Sequence, residues 1–202
     1  MIAVFFSLWY NAQTKGQKGG TAMSNQKAGL ESVRDQLIIA GISELGHHGI
    51  TDFSLRRVAS ACNLSCAAPY KHFKDKEELI SAIFSYITEQ LRLLLDQVAA
   101  VFPAEPKRQL LESCIAYLRF SLANPHFRAV LPLSKKALPI SDTIAALLPL
   151  CYPEASGQEL LERSVTLRSF TYGAAFLLEN GELANGDFSM ELIRRQLTDL
   201  LS

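Results

Sequence analysis

Apolar residues recur every three or four positions along most of this chain, and from residue 30 onward that spacing is helical. Val33, Leu37, Ala40, Gly41 and Leu45 line one face of a segment over 30–47, which the run from Gly46 to Gly49 closes. Leu55, Val58 and Ala59 form a shorter stripe after Ser54. A longer stripe of Leu79, Ile83, Tyr86, Ile87, Leu91, Leu94, Leu95 and Val98 predicts a helix over 76–100 that stops at Phe102-Pro103. Beyond it the spacing predicts helices over 107–123, 141–150, 156–179 and 188–201, with a short helical turn at 126–131. Pro132 and Pro139 bracket a loop, Pro149 and Pro153 end the short apolar helix, and Asn180-Gly181 closes the long one. The sequence has no alternating strand pattern and no repeat, so the expected fold class is all-α.

The punctuation around residues 54–79 is the most specific signal. Ser54 and Ser65 each stand where a hydroxyl can accept a backbone N–H left free in the opening turn of a helix. Cys62-Asn63-Leu64 breaks the run between them, and Asn tolerates the left-handed backbone that ends a helix. Asp75 with Glu78 three residues on reads as a capping box for the next helix. Two short helices joined by a tight turn build a helix–turn–helix, whose second helix enters the major groove of DNA. Pro69 falls at about the fourth position of that second helix, where a missing N–H is better tolerated than in the interior.

These residues resemble the TetR/AcrR family of transcriptional regulators. The matching positions are Gly49, Ser54, Val58-Ala59, Tyr70-Lys71-His72-Phe73 and Lys76-Glu77-Glu78-Leu79, with Arg34 and Ala40 in the helix before them. One departure is Cys62-Asn63-Leu64, where the family usually places a glycine. The resemblance implies an N-terminal three-helix DNA-binding domain over 26–75 and a C-terminal helical ligand-binding and dimerisation domain over 76–202. It implies a homodimer on a palindromic double-stranded operator, released by a small-molecule effector, with repression as the default sign.

Charge agrees with such a division. The 202-residue chain is formally neutral, with 49% hydrophobic residues, enough for a sizeable core. Residues 54–76 carry five basic side chains and one acid, whereas 77–202 carry 11 basic and 15 acidic ones. A positive module on a negative body suits a phosphate-contacting head.

The first 25 residues read as an extension, disordered or lying outside the natural chain. Met1 to Tyr10 is a short apolar run without a basic lead or a small-residue cleavage site, and it is too short to span a bilayer. Met23 opens a normal polar lead-in, and Lys18-Gly19-Gly20 is what a purine-rich ribosome-binding sequence would encode, so Met23 is the expected start. The expected location is cytoplasmic, without membrane association, where the four cysteines stay reduced.

The candidate DNA contacts are Ser54, Arg56, Ser65, Cys66, Ala67, Ala68, Tyr70, Lys71, His72 and Lys76. Small apolar side chains at 66–68 can touch a thymine methyl but offer little hydrogen-bond readout, while Lys71 can donate to guanine or phosphate. Phe73 reads as core, and Arg57 as either a contact or a structural partner of the body. By resemblance, Phe84, Tyr117, Phe120, Phe127, Tyr172 and Phe176 are candidates to line a ligand pocket. Leu161, Val165, Ser169, Gly173, Leu192 and Leu197 are candidates for the dimer interface. The helix over 158–178 is apolar on more than one side, and such a helix must bury more than one face.

No cofactor and no metal site is expected, because Cys62 and Cys66 find no completing His or Cys pair. No nucleophile elbow or phosphate-binding glycine loop is present, and three of the four histidines lie in or beside the head, so an enzyme is not expected. Two alternatives remain: an interaction module with the same fold that has lost specific DNA binding, and a thiol redox sensor using Cys62 and Cys66.

Overall fold

The structure, a computed structural model, describes residues 32–124 and 137–202. The N-terminal extension, the turn at 126–131 and Phe127 lie outside the described residues. Among the described residues the chain forms seven α-helices and no strand: α1 Val33–His48, α2 Leu55–Ala61, α3 Lys76–Val101, α4 Pro106–Ala123, α5 Pro139–Cys151, α6 Gly157–Glu179 and α7 Asp187–Leu200.

Helix starts follow their caps. Ser32 caps α1: its hydroxyl oxygen accepts the Asp35 N–H at 3.2 Å, and the Asp35 carboxylate accepts the Ser32 N–H at 3.3 Å. The start therefore falls at Val33, not residue 30. Ser156 and Glu159 repeat the same reciprocal box at the head of α6. Gly49 ends α1 at φ 67°, and its N–H donates to the Leu45 carbonyl. The expected box at α3 is displaced by one residue. Asp75 accepts the Glu78 N–H at 2.8 Å, but the Glu78 carboxylate turns to the N–H of Lys74 at 2.6 Å rather than to that of Asp75.

Pro139 and Pro149 behave differently from the sequence reading. Pro139 is the first residue of α5, where its fixed φ suits a helix and its absent N–H is not needed. Pro149 lies inside α5, which runs on to Cys151. Only two residues of α5 follow Pro149, so the break a mid-helix proline causes does not stop the helix early.

One apolar core runs from Leu37 in α1 to Leu201 beyond α7. The N-terminal half of α3 gives it Leu79, Ile80 and Ile83, where α3 meets α1; Leu91 and Leu95 lie further along, where α3 meets the later helices. At Gly41 a methyl group would stand 2.6 Å from the Ile83 Cδ1, so the missing side chain lets α1 and α3 approach closely. Arg194 of α7 holds α4 through a bidentate pair with Glu112 at 2.5 and 3.1 Å.

Candidate nucleic-acid interface

The head is built around Glu44. This carboxylate is 8% exposed. Its Oε1 accepts the N–H of Ser54 at 3.0 Å and the Arg57 Nε–H at 2.8 Å, and Arg57 also donates to the Asp52 carbonyl. His48 stands 3.8 Å from its other oxygen. Burial alone pushes the Glu44 carboxyl up; hydrogen bonds from Arg57 and Ser54, with the charges of Arg57 and His48, more than offset it and hold the group below the ordinary carboxylate value. Arg57 is thus a structural residue, and its partner lies in the head rather than the body. Glu44 itself is absent from the sequence reading. Its signal was present: it falls three residues after Gly41 and seven after Leu37, an acid on the buried stripe of α1.

Ser54 is the N-cap of α2, its hydroxyl oxygen accepting the Arg57 N–H at 3.4 Å. The helix ends at Cys62, Asn63 adopts the left-handed conformation at φ 57°, and the Leu64 N–H returns to the Ala59 carbonyl at 2.9 Å. Asn serves the turn in place of glycine because its short polar side chain tolerates this backbone.

The expected second helix is a 3-10 turn over Pro69–Lys71. Pro69 has no N–H, so the α-helical bond back to Ser65 is impossible; the Ala68 N–H takes the Ser65 carbonyl instead, at 2.9 Å. The bonds that follow, Lys71 to Ala68 and His72 to Pro69, keep the tighter spacing. Ala68, not Ser65, is the N-cap, and no side chain caps this element. Pro69 and Phe73 are buried; Arg34 stacks over the Phe73 ring at 5.1 Å. Tyr70 is 61% exposed. Ser65, Cys66, Ala67, Lys71, His72 and Arg56 are exposed as well, and Ala68 is half-buried. Lys76 departs from the rest: its ammonium donates to the Ile50 carbonyl at 2.8 Å and lies 5.8 Å over the Phe53 ring, so it ties the loop before α2 to the start of α3.

Cys62 is half-buried; burial raises its thiol pKa, and its Sγ–H faces the Gln36 carbonyl at 3.5 Å. Both features oppose a reactive thiolate.

In the body, Tyr117 and Tyr172 pack with ring centroids 5.5 Å apart, and the Tyr172 hydroxyl lies 2.6 Å from the Ser141 Oγ. Phe84 and Phe120 are buried in the same core. Phe176, on α6, is 44% exposed. Leu197 corrects the sequence reading. It is fully buried against the core within one chain, because it stands four residues after Ile193 on the inner face of α7. Leu161, Val165, Ser169 and Gly173 are exposed on α6, and Leu192 is half-buried.

A capped helix, a left-handed turn and an exposed basic-aromatic segment, packed on a helical body, have the layout of a helix–turn–helix module. Residues 37–83 match the family model described as bacterial regulatory proteins, tetR family. The probable acrEF/envCD operon repressor of Escherichia coli strain K12 is 26% identical over 120 residues, 59% of this chain and 54% of that protein. The chain thus spans about half the length of the curated relatives it matches. Among solved structures, a protein with unknown function from Rhodococcus sp. RHA1 aligns with TM-score 0.71 at 19% identity, over 88% of this chain and 97% of that one. The TetR family transcriptional regulator PfmR from Thermus thermophilus aligns with TM-score 0.61 at 19% identity, over 83% and 97%. Residues 37–83 are thus similar to the N-terminal domain of the TetR family, and the chain as a whole shares the fold of these solved structures.

Among the described residues no helix is long and apolar enough to cross a membrane, and no group of three or more His, Cys, Asp or Glu side chains is placed to hold a metal ion.

Proposed function

We propose that this chain is a cytoplasmic repressor that grips a palindromic operator as a homodimer and lets go when a small molecule occupies its body. The carrying observation is the exposed run Tyr70-Lys71-His72, held between buried Pro69 and Phe73. Lys71 contacts phosphate or guanine, Tyr70 and His72 contact backbone or bases, and Cys66 and Ala67 meet thymine methyls. Ser54 and Arg56 at the start of α2 contact phosphate, where free backbone N–H groups also favour an anion. Two such heads sit about 34–36 Å apart on the duplex, one helical turn. The repressive sign follows the Escherichia coli relative, whose name is that of an operon repressor.

Residues 26–75 act as the reading domain and 76–202 as the sensing and pairing domain. Tyr117 and Tyr172, with Phe84 and Phe120 behind them, are the proposed ligand contacts. An effector shifts the equilibrium only by its differential affinity for the DNA-competent and released forms. A gel-shift titration against the chain's own upstream DNA, at two salt concentrations and with competitor DNA, tests the reading. Saturable, competitor-resistant binding to a palindrome is expected; binding that competitor abolishes at every candidate operator would favour an interaction module instead.

A further inference from the structure

The first turn of α1 lies against the reading segment. Arg34, in that turn, is exposed, and its guanidinium sits 5.1 Å from the centroid of the Phe73 ring. Phe73 directly follows the exposed run 70–72, so Arg34 flanks that run at its His72 end. Further along the same turn, the Gln36 carbonyl faces the Cys62 Sγ at 3.5 Å, which sets α1 against the end of α2. Among the described residues no carboxylate pairs with the Arg34 guanidinium. The nearby acids are turned to other donors. Asp35 accepts the Ser32 N–H at 3.3 Å and the Ser32 hydroxyl at 2.7 Å; Asp75 accepts the Glu78 N–H, and Glu78 accepts the Lys74 N–H. Lys71 and Lys74, before and after Phe73 in the chain, are both exposed. An exposed cation over a ring adds only modestly to folding, and an uncharged stem would cover the ring as well. What the charge adds at this place is attraction for an anion.

We propose that Arg34 donates to a backbone phosphate of the duplex, at the edge of the groove that residues 70–72 enter. The inference rests on the DNA-binding reading above and adds a contact from α1, a helix outside the helix–turn–helix. A guanidinium is weakly hydrated and carries its N–H donors in a planar fork that matches two phosphate oxygens. Phe73 is 1% exposed and therefore fixed, so contact with its ring limits the directions the fork can take. Less side-chain freedom is then lost when a phosphate arrives. Phosphate contacts set register and orientation and do not read bases. Arg34 accordingly holds the reading segment at its place on the duplex whatever the operator sequence, and Phe73 is a positioning residue that acts through it.

Arg34→Gln, Arg34→Met and Arg34→Lys test the contact. Binding to a duplex of the chain's own upstream DNA, and to random-sequence duplex, is followed by fluorescence anisotropy across a salt series, with a thermal melt of each variant. Loss of one phosphate contact lowers the slope of log K against log salt by about 0.9. That loss is expected in Arg34→Gln and Arg34→Met, whereas Arg34→Lys, which keeps the charge, is expected to hold the native slope. Arg34→Met leaves an apolar stem on the Phe73 ring, so it reports on the charge should the glutamine variant melt early. A native slope in both neutral variants overturns the inference, whatever their melting temperatures, and leaves Arg34 as a cover for Phe73. A native chain that binds neither duplex overturns the DNA-binding reading beneath it.

Discussion

Glu44 and Arg57, thirteen residues apart and on different helices, share one buried oxygen: Oε1 of Glu44 takes both the Arg57 guanidinium and the N–H of Ser54. The pair locks the start of α2 against α1. Glu44→Ala leaves the Ser54 N–H without its acceptor and is expected to lower stability by about 1–3 kcal/mol, read from chemical denaturation. The sign with pH follows from the depressed carboxyl. Its contribution is full above the ordinary carboxylate value and is lost as pH falls through the lower folded value. Thermal melts between pH 7 and pH 3 should show that loss in the native chain and a flatter profile in Glu44→Gln.

Lys71→Ala is expected to weaken operator binding and to reduce the slope of log K against log salt by about 0.9, the share of one phosphate. An unchanged slope removes Lys71 from the phosphate contacts. Tyr70→Ala should lower operator affinity while leaving the melting temperature within about 1–2 °C, since an exposed side chain contributes little to folding.

Gly41 sits where α1 meets α3, and its replacement probes that seam. Gly41→Val is expected to destabilise by about 1–3 kcal/mol, because the new side chain meets Ile83 and overpacks the contact. The companion Ile83→Val should recover part of the loss in the double variant. Absence of recovery in a double-mutant cycle would show that the cost arises elsewhere.

The cysteines should react in a fixed order. Cys66 is exposed, whereas Cys114 is fully buried with its thiol pushed up to about 12 by desolvation. Alkylation of the native protein at pH 8, followed by peptide mass analysis, should label Cys66 first, Cys62 more slowly and Cys114 only on unfolding. A Cys62–Cys66 disulfide formed in mild oxidant, with a matching loss of DNA binding, would instead support the redox alternative.

The helices were legible because their ends are written in short-range chemistry. Ser54, Asp75 and Ser156 each cap as their sequence neighbours suggest. Asn63 turns left-handed where the stripe of α2 stops. What the sequence concealed depends on tertiary distance. Nothing local distinguishes Leu197, which faces its own core, from Leu161, which faces outward; both are leucines on amphipathic helices. Lys76 read as a free cation because its carbonyl partner, at Ile50, lies 26 residues away. The 3-10 form of the reading segment was closer to the surface of the sequence. Pro69 was noticed, but in so short an element the loss of one bond changes the kind of helix rather than trimming it.

Pro69 and Phe73, four residues apart, pin the reading segment to the core at both ends, and the side chains between them all point away from it. Positions 70–72 are thus an interchangeable cassette: on the proposed function, substitutions there are felt by the DNA and hardly by the fold. The proline also removes backbone freedom that contact with a duplex would otherwise have to freeze. If these positions read DNA as proposed, a lineage carrying this frame can drift from one operator to another through single exposed replacements, with no folding crisis along the way.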